Sequence, residues 1–261
     1  LEFRRVLFRS PEPIAAIVSG IAAGCEAAGV ALLGGETAEH PGVMGADDYD
    51  LAAAGTGVAE ADDLLSADRV QAGDVIVGMR SSGVHSNGFS FIRRALFDRA
   101  HMSVDTHVAD LSATVGEVLL EPTAIYTKAC LALARELPQQ LRVFSHITGG
   151  GIASNIARVL PTHLHADLDR GSWTPQPIFS VIQSAAGASI LEMERTFNMG
   201  LGMAAITSAE VAEAAVRTLT SHGIEAWVCG EIRERADGET GDSPAKGGAG
   251  GTASLVGQFS G

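Results

Sequence analysis

Apolar residues recur along 11–29 at the spacing of one helical stripe. Ile14, Ile17, Val18, Ile21 and Cys25 share a face, and Gly29 stands past the last turn. The period then changes. Residues 30–33 form a short apolar run entering a glycine turn, and 49–60 alternate weakly, so both read as strands. Residues 64–73 are a polar connector and mark a domain boundary. Residues 74–80 form a continuous apolar run of the buried-strand type, and 89–99 and 122–137 show helical spacing, with Pro122 suited to a first turn. Strands follow at 142–147, 164–168, 198–206 and 224–232, and helices at 152–160, 177–185, 189–195 and 208–222, the last capped by Ser208. Strands and helices alternate without one repeating βαβ period, and no internal repeat is visible. The fold class is α+β, or mixed α/β.

The two ends depart from this pattern. Residues 1–10 carry Arg4, Arg5 and Arg9, lack the features of a secretory signal, and read as a non-native leader joined to a truncated gene. Residues 237–251 are rich in Gly, Ser and Asp, have no periodicity, and read as a flexible linker, with one short strand possible at 253–259.

Composition narrows the function classes. The 261 residues are 46% hydrophobic, enough for a sizeable core. Eighteen Lys and Arg against 31 Asp and Glu leave a net charge of −13. That balance argues against nucleic-acid partners, whose phosphates need a basic face. An anionic small molecule stays admissible, because backbone N–H groups bind phosphate without lysine. No apolar run reaches the roughly 18–20 residues of a membrane span. Cys25, Cys130 and Cys229 are scattered and form no Cys-x-x-Cys pair, which favours a reducing cytoplasm over a disulfide scaffold.

Glycine is high, 31 of 261 residues, and concentrates in three polar loops. They are Gly34-Gly35-Glu36-Thr37-Ala38-Glu39, Ser81-Ser82-Gly83-Val84-His85-Ser86-Asn87-Gly88, and Thr148-Gly149-Gly150-Gly151. Such loops are either ordinary tight turns or cradles that aim several N–H groups at one anion. The only lysines, Lys128 and Lys246, lie outside the spacing of a Walker A loop. A dinucleotide fingerprint is imperfect: Gly149-x-Gly151-x-x-Ser154 has Ser where Gly or Ala is expected, and Gly200-x-Gly202-x-x-Ala205 lies inside a strand. His85, set among Ser, Asn and Gly on a loop, is the foremost candidate for proton exchange near neutral pH, unless it only hydrogen-bonds its own loop. Glu36 and Glu39 either bind a cation or ligand hydroxyl or solvate their loop. His146 reads as a strand-end residue. His163 and His165 share a strand face but lack neighbouring metal ligands.

In this order the loops resemble those of the aminoimidazole ribonucleotide synthetases, or phosphoribosylformylglycinamidine cyclo-ligases. The matching residues continue from the first loop through His40-Pro41-Gly42 and Asp48-Tyr49-Asp50. They include Gly73-Asp74-Val75, the second and third loops, Glu121-Pro122-Thr123-Ala124-Ile125-Tyr126 and Thr196-Phe197-Asn198-Met199-Gly200. The likeness covers roughly residues 12–235. It implies an ATP-dependent ring closure in purine biosynthesis by a cytoplasmic homodimer, with ATP and Mg2+ held mainly by a segment that precedes Pro11 in the family. It implies that 11–68 are the remainder of an ATP-binding and dimerisation domain, 69–235 a complete second domain, and 236–261 a tail. On the same grounds His85 and Asn87 are the catalytic candidates. Ser86, Gly88, Thr148, Gly149, Gly150, Gly151 and Asn198 are candidates for substrate and phosphate, and Glu36, Thr37 and Glu39 for the nucleotide or its cation. The chain by itself is expected to be inactive.

Overall fold

The computed structural model describes residues 11–38, 42–45 and 50–259. The chain divides at Leu64 and Leu65 into two compact units.

In the first unit α1 (Pro11–Ala28) ends where Gly29 turns left-handed. There the Gly29 N–H donates to Glu26 O at 3.1 Å and the Val30 N–H to Cys25 O at 2.9 Å, a closure that satisfies two orphan carbonyls. No described residue of this unit is buried, and Leu33, Val43 and Val58 are almost fully exposed. The strands expected at 30–33 and within 49–60 are not formed: 30–33 and 50–60 carry no ladder, and residue 49 lies outside the described residues. Alternation supplies a strand's faces, but only a partner's N–H and C=O groups hold it extended.

The second unit is a six-stranded sheet in the order β4-β6-β1-β7-β5-β8. Its strands are β1 (Asp74–Arg80), β4 (Leu141–His146), β5 (Leu164–Asp169), β6 (Leu201–Ser208), β7 (Ala226–Glu234) and β8 (Thr252–Val256). All pairings are antiparallel except β5 with β8, and β2 (His107–Val108) and β3 (Ala113–Thr114) form a separate hairpin. Helices cover both faces. On one face lie α2 (Phe89–Ile92, continued by a π-helix Arg93–Arg99), α5 (Gly151–Ala157), α6 (Pro177–Ala186) and α7 (Ile190–Thr196), around Ile76, Ile152, Ile156, Phe179 and Phe197. On the other, α4 (Thr127–Glu136) and α8 (Ala212–Ser221) pack on Val77, Met79 and Ala205. Covering on both faces explains why β1 reads as an unbroken apolar run. The short α3 (Val115–Leu119) starts at Thr114 with a reciprocal Thr–Glu cap, and α7 starts at Ser189 in the same way.

Three expectations need correction. Ser208 does not cap α8: its hydroxyl bonds Glu210, and a 3-10 turn, Ala209–Val211, comes first. The helix expected at 122–137 begins only at Thr127, because 121–126 form no regular element and bond instead to the 81–88 loop and the end of β1. Pro122 O accepts from Ser82 Oγ at 2.6 Å, and the buried Tyr126 donates its hydroxyl to Arg80 O at 2.8 Å. Residues 237–251 are pinned rather than flexible. Asp242 N–H donates to Ala253 O at 2.9 Å, Lys246 N–H to Ser154 O at 3.0 Å, and Gly251 N–H to Leu160 O at 2.9 Å. The Arg195 guanidinium grips Asp242 O at 2.7 Å. These bonds replace the apolar burial that the composition lacks, and they deliver β8 to the sheet edge.

Candidate functional site

Sheet strands and helices of the second unit present three loops at one place. The first is 81–88, between β1 and α2. The second is 148–151, between β4 and α5. The third is 197–200, between α7 and β6. Asn87 Oδ1 accepts the Gly149 N–H at 2.9 Å and so joins the first to the second. Asn198, 2% exposed, joins the first to the third. Its Nδ2 donates to Gly83 O at 2.9 Å, while its Oδ1 accepts the Ser81 hydroxyl at 3.1 Å and the Gly200 N–H at 2.9 Å. A buried amide with every group engaged fixes two chain segments to within a hydrogen bond's tolerance.

The 148–151 turn is held from inside by Asn155. Its Nδ2 donates to Thr148 O at 3.1 Å and Gly151 O at 2.7 Å, and its Oδ1 accepts Thr148 Oγ1 at 3.1 Å. Lys246 reaches over from the 237–251 segment, with Nζ 2.9 Å from Thr148 Oγ1. Ser86 is exposed and its hydroxyl lies 3.3 Å from that of Thr123, while Gly88 sits left-handed ahead of α2.

His85 differs from its expected part. It is 4% exposed and adopts a left-handed backbone at φ 55°. Its Nε2 accepts N–H groups of Ser82 at 3.1 Å and Ala124 at 3.5 Å, which places the ring proton on Nδ1. That Nδ1 is buried without a partner. Burial first, and then the neighbouring His146, push its pKa down to about 4. The ring is therefore neutral at neutral pH, and proton exchange near 6.5 does not fit these surroundings. His146 is pushed down in the same direction by burial and by the charges of Arg158 and Lys246.

Glu36 and Thr37 are exposed in the first unit, and Glu39 lies outside the described residues. Among the described residues no three His, Cys, Asp or Glu side chains converge on a metal position, and no helix is long and apolar enough to cross a membrane. Sequence reasoning missed Ser81, Gln176 and Lys246. Gln176 donates through Nε2 to Ser81 O at 2.5 Å and fastens the first loop to the start of α6. Nothing local marks Gln176, whereas Lys246 was visible as one of only two lysines in the chain.

The comparisons with known proteins agree with this layout. Residues 71–242 match the family model described as AIR synthase related protein, C-terminal domain, and residues 3–59 match that of the N-terminal domain. A phosphoribosylformylglycinamidine cyclo-ligase of Shouchella clausii is 46% identical over 222 residues, covering 85% of this chain and 64% of its own length. That of Sorangium cellulosum is 46% identical over 217 residues, covering 83% and 62%. That of Bacillus subtilis is 41% identical over 234 residues, covering 90% and 67%. The chain thus spans slightly less than two thirds of the first two relatives. With its three loops joined as described and the greater part of its length matched, the chain belongs to the aminoimidazole ribonucleotide synthetase, or phosphoribosylformylglycinamidine cyclo-ligase, family.

Proposed function

We propose that this chain carries the substrate loops of an ATP-dependent cyclo-ligase that converts formylglycinamidine ribonucleotide to aminoimidazole ribonucleotide, with ADP and phosphate released. The observation that carries this reading is the 2.9 Å bond from the Gly149 N–H to Asn87 Oδ1, which joins two polar loops far apart in sequence. ATP supplies the phosphoryl group that turns the formamide oxygen into a leaving group. The amidine nitrogen then forms the new C–N bond, the C–O bond to phosphate breaks, and the nitrogen sheds a proton.

In this reading 148–151, with Ser86 and Gly88 beside them, take the ribose phosphate or the phosphorylated amide. Asn87 and Asn198 hold the loops in the register that lets the two nitrogen- and oxygen-bearing ends of the substrate meet. Such positioning is the larger part of a ring closure between groups already on one molecule. His85, neutral and turned into its own loop, acts as a positioning residue. Glu36, Thr37 and Glu39 take the nucleotide side. A magnesium ion would accompany the nucleotide on that side. The working protein is a homodimer in the cytoplasm.

The test exchanges residues 65–259 into the Shouchella clausii relative in place of its matching segment. ADP release that requires formylglycinamidine ribonucleotide is the expected result. A folded chimera that binds ATP but never consumes it with that substrate refutes the reading and leaves a non-catalytic binding module.

A further inference from the structure

The 237–251 segment was expected to be an unstructured tail, yet it brings one of the chain's two lysines to the glycine turn. Lys246 is held twice. Its backbone N–H donates to Ser154 O at 3.0 Å, and its Nζ lies 2.9 Å from Thr148 Oγ1. Thr148 Oγ1 donates onward to Asn155 Oδ1 at 3.1 Å, so toward Lys246 it acts as an acceptor. The ammonium has three donors, it stands exposed, and the Thr148 contact uses one of them.

The surroundings add to that charge. Arg158 Nη2 reaches His146 O at 3.4 Å. Burial, and then the charges of Arg158 and Lys246, lower the pKa of His146 at the end of β4. The protein as a whole carries −13, so a lysine at Thr148 and an arginine at His146 stand against the general charge. In this turn the Gly149 N–H is engaged by Asn87 Oδ1 and the Gly151 N–H by Thr148 O, so an anion here meets the Gly150 N–H, and a neighbouring ammonium adds charge-assisted bonding to that single backbone donor.

We propose that Lys246 is a binding residue for a phosphate monoester at the 148–150 turn, with Thr148 as the hydroxyl that aims it. This deepens the phosphate reading of the same turn under the proposed function and rests on it. Lys246 bonds the anion with its two remaining donors, while the 237–251 segment acts as the strap that fixes its position. The charge is delivered from the chain's C-terminal strap and from neither glycine loop.

The experiment titrates the whole chain with ribose 5-phosphate by calorimetry at low salt, with ribose as the uncharged control. Amide shifts of Gly149 and Gly150 locate the binding. Lys246→Met is expected to weaken ribose 5-phosphate by about tenfold or more, the range of a lost charge-assisted hydrogen bond. Lys246→Arg is expected to keep affinity within roughly threefold, because it preserves the charge. Ribose is expected to distinguish none of the variants. Lys246→Met binding as tightly as the parent overturns the role of Lys246 and leaves the turn's phosphate reading standing. A parent chain that binds no ribose 5-phosphate overturns both. Circular dichroism of the two variants verifies the fold, which an exposed side chain leaves intact.

Discussion

The three consecutive glycines at 149–151 sit in different environments, and alanine at each should therefore cost a different amount. At Gly151 the backbone is left-handed at φ 74°, and a Cβ would stand 1.7 Å from Glu194 O. That carbonyl cannot withdraw, because the Glu194 side chain is buried and doubly bonded to Arg170, at 2.6 Å to Nε and 2.8 Å to Nη2. Left-handed backbone costs a side-chain-bearing residue about 1–2 kcal/mol, and overpacking adds about 1–3 kcal/mol. Gly151→Ala should thus lose about 2–5 kcal/mol, or roughly 4–20 °C in Tm for a unit of this size. At Gly150, φ is 101° and the nearest atom is Ser154 Oγ at 3.3 Å, a side-chain end that need give only a few tenths of an ångström, so the backbone penalty dominates. That is about 1–2 kcal/mol. At Gly149 no left-handed angle occurs and the nearest atom is Asn87 Oδ1 at 3.7 Å, an ordinary contact. Its alanine should be nearly neutral. Urea unfolding followed by tryptophan fluorescence reads the second unit directly, since Trp173 and Trp227 are the two tryptophans. Equal losses at all three positions, or the largest at Gly149, would refute the placement of this turn.

Asn87→Ala removes the acceptor of the Gly149 N–H and should cost about 1 kcal/mol, with faster hydrogen exchange at Gly149; unchanged protection there would deny the junction. Arg170→Met leaves the 3% exposed Glu194 carboxylate without its partner and should cost about 3–5 kcal/mol. Adding Glu194→Met should recover part of that loss, and a double variant as unstable as the single one would count against an ion-pair origin. For His85 the folded pKa, about 4, lies below the ordinary 6.5. The unfolded chain therefore takes the proton first, so stability is full above pH 6.5 and is lost as pH falls toward 4. The loss is on the order of 3 kcal/mol. His85→Gln should flatten the denaturant midpoint across that window, with a residual slope of the same sign from His146. A slope identical to the parent's would show that His85 is not buried as described.

Much of the fold was legible because local chemistry and tertiary environment agree. Residues 74–80 read as a buried strand and form β1 over those residues. The helices expected from 177 and 189 form as α6 from Pro177 and α7 from Ile190, the latter capped by Ser189. Where they disagree, a long-range contact prevails. Helical spacing at 122–126 yields to the hydrogen bonds of Pro122, Ala124 and Tyr126 around the 81–88 loop. His85 looked like a proton exchanger because its neighbours in sequence are polar, but its neighbours in space bury it.

The amino-acid order alone determined which segments turn, which bury a face, and which residues carry polar chemistry, since these follow from side-chain size, φ preference and apolar period. It also carried the resemblance to the family, in the residues and order of its loops. Which loops meet was decided by the folded chain. Asn87 and Gly149 are brought to 2.9 Å by strand pairing across β4, β6 and β1, and Lys246 arrives at Thr148 only because 237–251 crosses to β8. Hydrogen bonds between residues distant in sequence leave no period behind, so only the three-dimensional structure records them.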